Sequence, residues 1–302
     1  MKKNLLMTIL SLIFALCATL GLIACVPNTE VNPPHTHVYD QKKETSDYFV
    51  SEATCTSGAI YRYSCSCGEK GTETFEGKLK DCTFVDGACT VCGQKTPTDG
   101  LAYTLLDDET YSVAIGSATE IENIIVPFAH DGIKVTAVAK SGFKKTNIVS
   151  IELPKSITTI GSYSFDGCSK LTTINIPENI TIISIGTFNV CTSLESIVFP
   201  DGLNTIDVGA FYGCSSLKNP AIPESVTTIN SSAFRKCVSF TKIIIPIGVT
   251  TIGNYAFADI ENIGLFCRVA HNNKPSSWAY NWYYSGTREA PGLYIIWGYE
   301  GN

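Results

Sequence analysis

Two rhythms of apolar and polar positions recur together between residues 150 and 263. In Ile157-Thr158-Thr159-Ile160-Gly161 a short β-branched run closes on a turn former. Phe165 and Cys168 follow, and then Leu171, Ile174 and Ile176 spell LxxIxIP, ending at Pro177. The skeleton returns as ISIGTFNVCTSLESIVFP over 183–200, at a period of 23 residues. Pro154, Pro177, Pro200, Pro223 and Pro246 keep that register, as do Ile160, Ile183, Ile206, Ile229 and Ile252. So do Phe165, Phe188, Phe211, Phe234 and Phe257, then Cys168, Cys191, Cys214 and Cys237. Leu171, Leu194, Leu217, Phe240 and Ile263 complete the set.

A unit of this size cannot bury its apolar side chains alone, whereas stacked units share a continuous core. The alternation in LxxIxIP predicts one short parallel strand per turn. The β-branched run suits a second extended piece. Gly161, Ser184, Asp207, Asn230 and Gly253 predict a turn after it, and Ser164, Thr187, Ala210, Ala233 and Ala256 a tight corner before a buried Phe. The cysteine column is expected to be a ladder of free, buried thiols acting as small hydrophobes with a weak donor. Metal binding or disulfides between coils would be the functional alternative. Ile260 takes the Cys place in the last turn, which packing tolerates and ligation does not. One departure stands out: Pro220 falls where the strand expects Ile, as at Ile174, Ile197 and Ile243. It removes a ladder donor, so a bulged coil is expected there.

The unit SITTIGSYSFDGCSKLTTINIP resembles the BspA-like leucine-rich repeat of bacterial surface proteins, and the resemblance extends over 101–302. It implies a leucine-rich-repeat solenoid with short parallel strands: an opening segment at 101–134, repeats over 135–263 and a C-terminal cap at 264–302. It also implies a role in adhesion or surface binding. Composition agrees with a globular chain: 44% hydrophobic, 17% charged, net charge −6. A mildly acidic chain with no basic run offers no footprint for nucleic acid.

The N-terminus has the pattern of a secretory signal over 1–24: Lys2 and Lys3 precede an apolar run that ends Leu22-Ile23-Ala24-Cys25. LIAC resembles the bacterial lipobox, which implies lipidation at Cys25 and a membrane anchor made of acyl chains. The alternative is a retained apolar span, since residues 5–24 come close to the required length. Residues 25–34 then form a Pro-broken tether.

A small Cys-rich module is expected at 35–95, ahead of the repeats. Its candidate ligands are His35, His37, Cys55, Cys65, Cys67, Cys82, Cys89 and Cys92. CSCG and CTVCG end in Gly, as knuckles do when a tight turn aims backbone donors at thiolates. Eight ligands can complete two tetrahedral zinc sites, and the segment resembles small Cys/His modules of Gram-positive surface proteins. Three disulfides are the competing reading, with mixed or free thiols a third.

Catalysis requires converging titratable groups. His130-Asp131 is the sole suggestion of such a pair, and no nucleophile elbow, phosphate-binding loop or HExxH helix is present in the sequence. A binding protein is therefore expected rather than an enzyme. On the predicted strand face the outward column runs Glu152, Asn175, Val198, Ala221, Ile244, from polar to apolar. Such a face suits a host or matrix protein, although exposed β-branched residues also occur on any strand. Trp278, Trp282 and Trp297 sit with Tyr280, Tyr283, Tyr284, Tyr294 and Tyr299 near the C-terminus. They offer a glycan platform as the alternative function, or else the bulk that seals a terminal coil.

Overall fold

A computed structural model describes residues 38–300 apart from 55, 56, 65, 67, 68, 81, 86, 286, 287, 290 and 291. The chain divides between Lys80 and Asp81 into two compact units, inside the segment read from sequence as one Cys-rich module.

In the first unit, strands Phe49–Ser51, Ile60–Ser64 and Lys70–Glu76 form an antiparallel sheet in chain order. Tyr61 lies opposite Phe75 in that register, and their rings stack at 5.7 Å. Cross-strand aromatic pairs of this kind stabilise a small sheet. Tyr48, Ala59, Phe75 and Leu79 are its buried apolar side chains among the described residues.

The second unit is the solenoid. A hairpin, Ala102–Leu105 with Tyr111–Ala114, opens it. Its second strand runs parallel to Ile133–Val138, which pairs in turn with Thr159–Ile160. Ile182–Ile183, Thr205–Ile206, Thr228–Ile229 and Thr251–Ile252 continue the same face as a parallel ladder. These pairings match residues one period apart, Thr205 to Thr228 to Thr251, as the spacing predicts.

The proline column terminates each coil. The carbonyls of Pro154, Pro177, Pro200, Pro223 and Pro246 each accept the N–H three residues on, at 3.0–3.2 Å. That bond is a β-turn closure, and it swings the next apolar residue, such as Ile157 or Leu203, into the core. Gly161 is required at its turn by close approach: a Cβ there would lie 2.6 Å from the backbone nitrogen of Lys140.

Inside, the phenylalanines stack. Phe143, Phe165, Phe188, Phe211, Phe234 and Phe257 follow one another at 5.2–5.6 Å, nearly parallel, and Trp282 closes the column edge-on at 5.8 Å. Each ring is fully buried, worth about 2–3 kcal/mol in transfer terms. The thiols run beside them. Cys168, Cys191, Cys214 and Cys237 are free and buried, and they donate to the carbonyls of Phe143, Phe165, Phe188 and Phe211 at 2.9–3.1 Å. The expected free ladder is thus present, and its chemistry is specific: each thiol is a second donor to a carbonyl of the preceding coil, which also accepts a backbone N–H of its own coil.

The LxxIxIP face behaves differently. Asn123–Ile125, Ser150–Glu152 and Thr173–Ile174 pair in parallel. Residues 194–200 and 217–223 carry no strand, and the ladder resumes at Lys242–Ile245, paired with Gly264–Cys267 and then Tyr294–Trp297. Disruption at Pro220 therefore reaches back through the coil before it. Asn219, at φ 26°, bridges the break: its side-chain oxygen accepts the N–H groups of Thr241 at 2.8 Å and Lys242 at 3.1 Å. A side-chain amide stands in for the peptide group that a regular strand would present.

Candidate binding face and thiol cluster

The interrupted face carries a groove of about 1240 Å³ across the coils from 123 to 202, with Lys95 on its rim. Glu152, Asn175 and Val198 from the outward column line it, together with Asn123 and Ser150. Ala221 and Ile244 lie outside it. Ala221 is exposed, whereas Ile244 is half-buried and in register with Phe266.

The five column residues take different roles. Glu152 forms an ion pair with Lys95 at 2.8 Å, both side chains well exposed. A pair this exposed contributes little stability, so its importance lies in where it puts charge. Asn175 is committed to the scaffold: its oxygen accepts the Leu153 N–H at 2.8 Å and its nitrogen donates to the Leu153 carbonyl at 2.7 Å. That amide is spent on the neighbouring coil rather than offered to a ligand. Val198 is 81% exposed, within the groove, and nothing in the packing requires it to be apolar. The apolar end expected at Ile244 is replaced by a cation–aromatic cluster. Lys242 Nζ lies 4.7 Å from the Phe266 ring centre and 5.1 Å from that of Tyr299, and donates to the Tyr299 hydroxyl at 3.2 Å.

Among the aromatic residues near the C-terminus, Trp278 and Trp282 are in the core at 3% and 1% exposure. The indole N–H of Trp278 donates to the carbonyl of Val249 at 3.1 Å. Tyr280 and Tyr294 are the strongly exposed rings of that segment. His130 stacks on Tyr103 at 3.8 Å, with its Nε2 3.6 Å from a carboxylate oxygen of Asp131. Burial, with Asp131 and Asp99 nearby, pushes the Tyr103 hydroxyl up to about 12.

Of the candidate metal ligands, Cys82, Cys89 and Cys92 converge, with their sulfurs all within 4.8 Å of one another. No disulfide joins them, and the sulfurs of Cys82 and Cys92 stand 3.7 Å apart, within hydrogen-bond reach. A tetrahedral ion with sulfur ligands about 2.3 Å away has edges of roughly 3.8 Å, so that separation fits without rearrangement. The backbone N–H groups of Cys92 and then Val91 hold the Cys89 thiol down to about 6, a thiolate at neutral pH. The knuckle turns on Gly93 at φ 72°, and Gly93 N–H closes onto the Cys89 carbonyl at 2.9 Å. These three sulfurs can hold a metal. Cys25, His35, His37, Cys55, Cys65 and Cys67 lie outside the described residues.

Residues that sequence reasoning did not single out complete the picture: Gln94 and Lys95, which join the knuckle to the groove, and Asn219, which patches the ladder.

Against known proteins, the model of the BspA type leucine rich repeat region matches residues 136–264 in six copies. A leucine rich repeat protein from T. pallidum, known by crystal structure, is 32% identical with a TM-score of 0.54. The match covers 57% of this chain and 81% of that one. A leucine rich cell surface protein from Faecalibacterium prausnitzii is 23% identical with a TM-score of 0.46, covering 57% and 54%. No curated protein matches the chain. The chain belongs to the BspA-type leucine-rich repeat family.

Proposed function

We propose that this chain is a cell-surface binding protein whose groove on the LxxIxIP face takes a protein partner, of host or matrix origin. The observation that carries this reading is Val198, a large aliphatic side chain almost fully in water that lines a groove together with polar side chains. An apolar anchor surrounded by polar groups is the usual composition of a recognition patch. The N-terminal apolar run ending at Cys25 supports an acyl-anchored position at the membrane surface. No helix among the described residues is long and apolar enough to cross a membrane. Zinc is the ion we assign to the thiol knuckle, in a structural capacity, since soft thiolates at this spacing suit it. The glycan alternative loses its best platform, because Trp278 and Trp282 are committed to sealing the core.

A screen of the protein against purified matrix proteins, run in parallel with Val198→Asp and Val238→Asp, tests the reading. Val238 is exposed but outside the groove. Binding should be lost in the first variant and kept in the second. Equal binding by both would reject the groove.

A further inference from the structure

The thiol knuckle and the groove are joined by a strip of chain that belongs to both. On the knuckle side, Cys89 N–H donates to the Gln94 carbonyl at 2.7 Å, Ala88 bridges Lys95, and Thr96 N–H donates to the Gly87 carbonyl at 3.0 Å. On the solenoid side, the Gln94 side chain clamps two backbone groups. Its nitrogen donates to the Val126 carbonyl at 2.9 Å and its oxygen accepts the Phe128 N–H at 3.0 Å. Thr98 adds a second clamp, its N–H donating to the Ile125 carbonyl and its hydroxyl accepting the Ile125 N–H. The strip therefore covers the otherwise open edge of Asn123–Ile125, the terminal strand under the groove.

Little apolar packing holds the knuckle itself. Its strands, Phe84–Val85 and Ala88–Cys89, are two residues each, and Val85 and Val91 are exposed. A hairpin that short is not stable in isolation and requires a staple. Lys95 is the one cation among the groove-lining residues, which include three carboxylates, Glu152, Glu178 and Asp201. Whatever fixes the knuckle fixes that charge.

We propose that a soft divalent cation held by Cys82, Cys89 and Cys92 locks the strip Gln94–Thr98 onto the edge strand and seats Lys95 on Glu152, so that metal occupancy sets the charge of the groove. The proposal rests on the reading that the knuckle takes an ion. Loading releases the thiol protons to buffer, and the three thiolates fill three positions of a tetrahedral ion. Removing the ion frees the strip, unpairs Glu152 and leaves the groove acidic. The groove is then a metal-gated surface rather than a fixed one.

Cobalt(II) is the probe, titrated into the metal-free full chain. Thiolate-to-cobalt absorption reports the ligands. Hydrogen exchange at the Ile125 and Phe128 amides reports the strip, and acylation of Lys95 by an activated ester reports the ion pair. Loading should give a three-thiolate spectrum, slow exchange at both amides by about tenfold, and slow acylation of Lys95. Cys89→Ser should lose a thiolate from the spectrum together with the protection. Gln94→Ala should keep the spectrum and lose protection at Phe128. Amides of 205–229 serve as the folding control for each variant. Absence of thiolate absorption would overturn the metal reading. A three-thiolate spectrum with unchanged exchange and acylation would leave that reading intact and overturn the gate.

Discussion

The thiol of Cys191 donates to the carbonyl oxygen of Phe165 across one coil boundary, 3.1 Å away, and both groups are fully buried. Each coil thus reaches a polar atom of the one before it with a small, largely apolar side chain that fills the corner and still donates weakly. Cys191→Ala should cost about 1–3 kcal/mol, mostly from the lost volume, since the Phe165 carbonyl keeps the Cys168 N–H at 3.1 Å. Urea unfolding of the variant measures it, with metal content unchanged.

The same burial makes the solenoid sensitive to alkali. Burial pushes the Cys267 thiol up to about 12 from the usual 9.0, and raises those of Cys168, Cys191, Cys214 and Cys237. Above pH 9 the unfolded chain gives up protons that the folded chain keeps, so stability falls as pH rises. The contribution is present in full below pH 9 and declines toward the folded value by about 1.4 kcal/mol per thiol per pH unit. Urea midpoints measured at pH 8, 9 and 10 should fall along this series, and more shallowly in Cys214→Ala.

At the break in the ladder, Asn219→Ala should remove the acceptor shared by the amides of Thr241 and Lys242. These groups are exposed, so the global cost should be about 1 kcal/mol. The local signature is faster hydrogen exchange at those two amides, with Thr205–Ile206 unaffected.

The repeat was legible because its columns are set by packing: a position that must be buried in every coil shows the same chemistry in every coil. Phe165, Cys168, Leu171 and their successors therefore announced both the period and the core. Phe143, the first ring of the stack, escaped notice because its spacing to Phe165 is 22 rather than 23 residues. The candidate site was less legible. Asn175 reads as an outward polar residue, and only the position of Leu153 across the coil boundary shows where its amide is engaged. Ile244 reads as exposed by alternation, yet the irregular C-terminal coil brings Phe266 alongside it. Gln94 and Lys95 carry no periodic signal at all; their partners lie 32 to 57 residues away.

Trp282 closes the phenylalanine stack, and Trp282→Ala should destabilise the solenoid by about 3–5 kcal/mol. Tyr280→Ala, at 79% exposure, should leave the melting temperature unchanged. A comparison of the two melting curves separates a sealing role from a ligand platform.

The central claim is that a protein partner docks in the groove over Val198. Its most direct test is a photo-reactive amino acid placed at 198 or at 238, irradiated with a partner taken from the matrix-protein screen and mapped by mass spectrometry. Cross-linking from 198, with none from 238, is the predicted result. Cross-linking from 238 with none from 198 would contradict it and move the binding surface off the LxxIxIP face.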